Sequence, residues 1–168
     1  QLDTGRIYRY VANIKLNEPD KFGYTYLRRK INKLKVKDLK NKKLLSDKVA
    51  IVASILAKDK KIRKLVHTFQ LKCAYNPPKK YAGSCLDGRD ICSVIMPDAD
   101  VKLFITANLK TRALRRYKEL KAKNKNISFQ EVLKSVKKRD KSDINRKISP
   151  LKKTKDSILL NTSNLSIR

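Results

Sequence analysis

The chain has 168 residues, with 43 Lys and Arg against 15 Asp and Glu and a formal charge of +28. That length suits one domain with a real core, and the three cysteines, Cys73, Cys85 and Cys92, form no C-x-x-C pair; an odd count without a framework argues for reduced thiols in a cytosolic compartment. So large a positive field attracts polyanions, but Lys, Asn and Ile abound together as in an AT-rich genome, so charge alone does not select a function.

Residues 1–15 read as a turn, Asp3-Thr4-Gly5-Arg6, opening a short helix. Tyr8, Val11 and Ala12 form its apolar face, and Asp3 or Thr4 caps it. Leu16 to Lys43 carries a Pro, a Gly and many lysines with weak periodicity, and reads as a mobile, exposed insertion. Ser46 and Asp47 cap a helix through Ala57, and a second helical pattern runs from Lys60 to about Cys73, stopped by Asn76-Pro77-Pro78. The single histidine, His67, lies in that pattern; a zinc site needs several such ligands, so none is expected. The longest apolar run, Val49 to Ala57, is too short to span a bilayer, and no signal peptide is expected before Leu2. The start at Gln1 leads to the expectation of a fragment or processed product.

A strand is expected around Tyr81 to Leu86, then the polar Asp87-Gly88-Arg89-Asp90, a turn at Pro97 to Asp100, and a strand over Val101 to Ala107. Asn108 caps a helix from Leu109 to about Lys123. Ser128 and Glu131 form a capping box for a helix ending at Arg139, and Asp156 to Thr162 reads as a last strand. Strands alternating with helices imply an α/β layered fold with a mostly parallel sheet.

Two stretches interleave arginines with carboxylates, Asp87 to Asp90 and Arg139 to Arg146. A polar loop after an apolar strand is where open α/β sheets place ligands. Arg89 can grip phosphate with its planar fork, and Asp90 can accept from an amine or a hydroxyl. The same residues also suit a plain Asp-Gly turn with a local ion pair. Gly83 to Asp90 mimics the spacing of a phosphate loop, but Asp87 would face phosphate oxygens and Asp90 would replace the small hydroxyl that holds Mg²⁺, so that reading is rejected. Arg112 and Arg116 are four apart and share a helix face, with Arg115 beside them; opposed phosphates or a solvated face would both explain them. Arg139 and Asp143 could simply pair if still helical, while Asn145-Arg146 suits a ligand-touching loop after a helix end.

Four motifs in order resemble those of bacterial-type cytidylate kinases, members of the P-loop nucleoside monophosphate kinases. They are Leu2-Asp3-Thr4-Gly5-Arg6-Ile7-Tyr8-Arg9; Asp87-Gly88-Arg89-Asp90 with Met96-Pro97-Asp98-Ala99; Arg112-Ala113-x-Arg115-Arg116-Tyr117; and Arg139-Asp140-x-x-Asp143-x-Asn145-Arg146 followed by Pro150-Leu151. The resemblance implies a three-layer, parallel-sheet kinase fold in one domain over 1–168. It places a CMP-binding insertion and lysine-rich segment at 16–60, core at 61–107, the lid region at 108–146 and a core C-terminal strand in 147–168. It implies transfer of the ATP γ-phosphate to CMP or dCMP, in pyrimidine nucleotide metabolism, with Mg²⁺ as cofactor and ATP as co-substrate. Arg9, Arg89 and Arg146 would hold the CMP phosphate, and Ser54, Arg63 and Asp90 would read the cytosine edge. Asp143, with Arg139, would hold the ribose hydroxyls, and Thr4 stands where the family has Ser or Thr near the acceptor. Arg112 and Arg116 would belong to the lid over ATP. Catalytic charge neutralisation would fall to Arg89, Arg116 and Arg146. No residue is expected to ligate metal directly, and Asp87 would place Mg²⁺ through water. A cytoplasmic monomer is expected, with no membrane or nucleic-acid partner.

The chain departs from the family pattern in three ways. The family's first strand and glycine-rich phosphate loop precede its Leu-Asp-[Ser/Thr]-Gly motif, whereas Leu2 is almost the first residue here, so no useful kinase activity is expected of this chain alone. Cys92 and Ser93 replace a Gly-Thr, and Ala50, Ile51 and Val52 replace a polar, Gly-containing stretch before Ser54. Two rival readings are a pseudoenzyme that binds CMP without turnover and a basic nucleic-acid-binding protein, which would show a steep salt dependence.

Overall fold

In a computed structural model of the chain, residues 1–122 and 126–166 are described. Lys123, the expected helix end, and Arg168, the end of the C-terminal segment, lie outside them. Two compact units divide the chain, Gln1–Ile91 and Cys92–Arg168.

In the first unit a two-residue strand β1 (Leu2–Asp3) leads into helix α1 (Gly5–Asn17). Ile7, Val11 and Ile14 recur one helical turn apart and are buried, so one stripe of α1 faces the core. Thr4 occupies the N-cap position, but its hydroxyl is used elsewhere; the Asp3 carboxylate instead accepts from the Gly5 N–H at 3.0 Å. Helix α2 (Tyr24–Lys33) follows, then 3₁₀ turns at Val36–Lys40 and Lys42–Leu45. This corrects the expectation of a mobile insertion over 16–43. Leu27, Ile31, Leu34, Leu39 and Leu44 are all buried in the core, with the lysines between them directed outward. The lysines dilute the apolar periodicity without removing the anchors.

Ser46 caps α3 (Asp47–Leu56) by accepting from Val49 N–H, and Asp59 caps α4 (Lys60–Tyr75) by accepting from Lys61 and Ile62. Helix α1 packs on α3, and α2 packs on α4. The expected strand over 81–86 shrinks to β2 (Leu86–Asp87), which pairs in parallel with β1 in the register Leu2↔Leu86 and Asp3↔Asp87. The approach is held by irregular bonds instead: Tyr81 N–H donates to Pro78 O at 2.9 Å, and the Ser84 hydroxyl donates to Ala74 O at 2.5 Å.

A π-helical turn over Ile91–Ile95 follows. The second unit contains β3 (Leu103–Thr106), α5 (Leu109–Lys121), α6 (Phe129–Asn145) and β4 (Ile158–Asn161). Strands β3 and β4 run parallel, from Leu103↔Ile158 to Thr106↔Asn161. Asn108 caps α5, and Ser128 with Glu131 forms the capping box of α6. Helix α6 runs six residues past its expected end at Arg139, so Asn145 closes the helix and Arg146 opens the loop. Helices α5 and α6 pack together, with the Tyr117 and Phe129 rings edge to face at 5.9 Å. The result is an α/β chain whose strand pairs are parallel. Among the described residues no helix is long and apolar enough to cross a membrane.

Candidate functional site

In the first unit Thr4, Asp87, Asp90 and Arg63 meet around the end of β2, while Arg9 and Ser54 make their bonds elsewhere. Backbone N–H and side-chain Oγ1 of Thr4 both donate to the Asp87 carbonyl, at 2.9 and 2.8 Å. That double bond ties the start of α1 to the loop that follows β2. Gly88 sits against this junction: a Cβ there would lie 2.4 Å from Thr4 Oγ1 and 2.9 Å from Ile91 Cδ1. Glycine is therefore required by close approach, not by backbone angle.

Asp90 follows in the loop and is buried at 7% exposure. Arg63 reaches it from α4, with Nη2 at 2.5 Å from Oδ2. The same guanidinium donates to the Ala57 carbonyl at 3.2 Å and lies 5.9 Å from the Tyr8 ring centroid. The Asp59 cap fixes where α4 starts, and hence where Arg63 projects. Two residues expected to read one base edge are thus an ion pair nearly out of water. Such a pair is held in one geometry, because breaking it strands a charge.

Arg9 donates through Nη1 to the Leu44 carbonyl at 3.0 Å, and Arg6 donates through Nη1 to the Leu39 carbonyl at 3.0 Å. Three apart on α1, these arginines anchor the 3₁₀ turns at Val36–Lys40 and Lys42–Leu45. The role of Arg6 was missed in the sequence; its spacing from Arg9 is the one signal available. Arg89 is exposed, and its charge acts on Asp87. Burial, then the Asp3 carboxylate beside it in the ladder, pushes the Asp87 carboxyl above its usual range, and Arg89 pulls it back. Ser54 is exposed on α3 and its hydroxyl donates to the Ile51 carbonyl of its own helix at 2.8 Å.

The second unit holds the remaining candidates. Arg112 Nη1 donates to both Asp140 oxygens, at 2.8 and 2.6 Å, and Nε donates to Ala107 O at 2.8 Å. Arg115 donates to Thr162 Oγ1, Thr162 O and Leu165 O, at 3.1, 2.6 and 2.8 Å. Arg116 pairs with Glu119 at 2.8 Å, one turn along the same helix. The pairing alternative for Arg139 and Asp143 is realised, at 3.7 Å. Arg146 donates through Nε to the Ser149 carbonyl, and Leu151 N–H donates to the Asp143 carbonyl at 2.8 Å. Asp140 had no role in the sequence reading; it lies 28 residues from Arg112, a separation no spacing rule covers.

A family model described as cytidylate kinase matches residues 1–168. The chain is 38% identical over 176 residues to a cytidylate kinase of Thermosipho melanesiensis, covering 99% of this chain and 78% of that protein. It is 40% identical over 172 residues to one of Bartonella tribocorum, covering 99% and 76%. With one of Clostridium botulinum the identity is 38% over 181 residues, covering 99% and 79%.

Proposed function

The chain belongs to the cytidylate kinase family, and from that premise we propose that it transfers the γ-phosphoryl group of ATP to CMP or dCMP, giving ADP and CDP or dCDP. The family's three-layer fold and a lid at residues 108–146 are parts of this reading. Phosphoryl transfer needs positioning and charge neutralisation more than covalent chemistry from the protein. Arginines supply both. Arg9, Arg89 and Arg146 hold the phosphate of CMP, Asp143 with Arg139 holds the ribose hydroxyls, and Thr4 lies near the acceptor. Arg112 and Arg116 act on the ATP side, in the lid whose closure keeps water from the phosphoryl group.

Mg²⁺ suits the carboxylates of the first unit. Asp3 and Asp87 are register partners, and the Asp87 carboxyl is raised by desolvation first and then by the Asp3 charge, a situation a cation relieves. Mg²⁺ typically keeps several of its waters and takes substrate oxygens. Asp87 would hold it through water, and its charge would offset that of the phosphates.

The observation that carries the proposal is the buried Arg63–Asp90 pair. A carboxylate has about four acceptor sites, so beside its bond to Arg63 Asp90 can accept from the cytosine amino group, while uracil presents a carbonyl there. The test is the ratio of CMP to UMP affinity in Asp90→Asn. We expect that ratio to fall about tenfold, the scale of one hydrogen bond to a charged acceptor. A ratio equal to that of the unaltered chain would remove Asp90 from base recognition.

A further inference from the structure

Ser149 is the sole non-glycine residue with positive φ among the described residues, at φ 50°. Serine has no backbone licence for that region, and a non-glycine residue held there stores backbone strain. Pro150 follows it, and a following proline narrows the choice further, favouring extended backbone at the preceding residue. The conformation therefore persists because the surroundings hold it.

What it accomplishes is visible in two hydrogen bonds. The Ser149 carbonyl receives the Nε–H of Arg146, three residues back. Two residues on, Leu151 N–H closes onto the Asp143 carbonyl at 2.8 Å. The loop from Arg146 to Leu151 thus folds back onto the last turn of α6, and the left-handed residue stands at its bend. Nε is the inner nitrogen of a planar fork. Fixing it to a carbonyl fixes the plane in which both Nη nitrogens lie, and so the direction in which the fork can meet an anion.

We propose that Ser149 is a positioning residue for CMP: its left-handed backbone turns its carbonyl onto Arg146 and sets the guanidinium plane that receives the nucleotide phosphate. The inference rests on the reading of Arg146 as a phosphate ligand. A left-handed residue that merely closed a loop would affect the whole ligand or none of it. One that orients Arg146 affects the phosphate and leaves the nucleoside alone.

Calorimetric titration of the chain with CMP and with cytidine separates these cases. Ser149→Val, whose branched Cβ resists positive φ, should weaken CMP about tenfold, the scale of a lost charge-assisted hydrogen bond, and leave cytidine unchanged. Ser149→Gly, which adopts the angle freely, should bind both ligands like the parent. Ser149→Thr adds one methyl at the same Cβ and should give a smaller loss, again on CMP alone, should the valine variant fail to fold. Equal losses of CMP and cytidine, or no loss of either, overturn the proposal. Arg146→Ala is the reference. If it leaves the CMP-to-cytidine ratio unchanged, the phosphate role of Arg146 fails and the inference with it. If Arg146→Ala lowers that ratio and Ser149→Val or Ser149→Thr does not, only the inference fails.

Discussion

The two units are held by different forces. The first owns the continuous hydrophobic core, from Leu2 through Ile7, Val11, Leu27, Leu44 and Val66 to Phe69. In the second, the buried hydrophobic residues among those described are few, and two are alanines: Ile95, Ala107, Ala113 and Val132. Leu103, Ile105, Ile158, Leu159 and Leu160, which fill its strands, are exposed. Its elements are joined instead by directional bonds, among them Arg112 to Asp140, Arg115 to Thr162 and Lys102 to Asp156. A core resists local opening because many contacts are lost together, whereas polar ties can be broken one at a time and re-formed. The residues proposed to read the base are therefore in the rigid region, and those assigned to the lid are where local rearrangement costs less.

Removing apolar volume from the first unit should give the largest effect. Ile7 is fully buried, and Ile7→Ala should destabilise the chain by about 2–5 kcal/mol, read from urea unfolding. A loss well under 1 kcal/mol would mean that the core does not carry the first unit, and the contrast would dissolve.

The polar ties of the second unit should count for less individually. Arg112 and Asp140 are about one-third exposed at the side chain, 36% and 29%, so screening reduces the value of their pair. Arg112→Ala should cost about 1 kcal/mol. Arg112→Lys should not restore it, because an ammonium cannot hold Asp140 and the Ala107 carbonyl in one plane. Full rescue by lysine in the same unfolding assay would show that charge, not geometry, joins α5 to α6.

The smallest effect belongs to acid. Hydrogen bonds from Lys102 and then Thr154 lower the Asp156 carboxyl to about 2 from its ordinary 3.8. A depressed carboxyl contributes stability that is present above the unfolded value and lost as pH falls through the folded one. The melting temperature of Asp156→Asn should therefore lie slightly below that of the parent at neutral pH. The gap should close as pH falls from about 4 towards 2. A gap that stays constant across that window would show that the Lys102–Asp156 tie contributes nothing that depends on ionisation.

What could be read without coordinates follows the same division between local and distant. The caps at Ser46, Asn108 and Ser128 were legible because a side chain and the N–H it receives are three residues apart. The four motifs were legible as a family because their order survives in the chain, and the family model matches over the same span. The packing of residues 16–43 was not, since lysines outnumber the leucines that anchor it. A strand near 81–86 was legible, but not its contraction to Leu86–Asp87, which pairing with β1 more than eighty positions away decides. In the candidate site, motif positions could be named, but the partners of Arg6, Arg9 and Arg112 are carbonyls and a carboxylate that only the fold brings near.

The contact between Gly88 and Thr4 links the histories of two positions. A methyl at 88 and the Thr4 hydroxyl on the Asp87 carbonyl cannot occupy the same 2.4 Å gap. Alanine at 88 needs position 4 to surrender its oxygen and Ile91, whose Cδ1 would lie 2.9 Å away, to move as well; the first of these loosens the joint between α1 and the Asp90 loop. Neither substitution is favourable as a first step, so the pair is a ratchet that keeps drift in this chain away from the glycine two residues before Asp90, the carboxylate proposed to read the base.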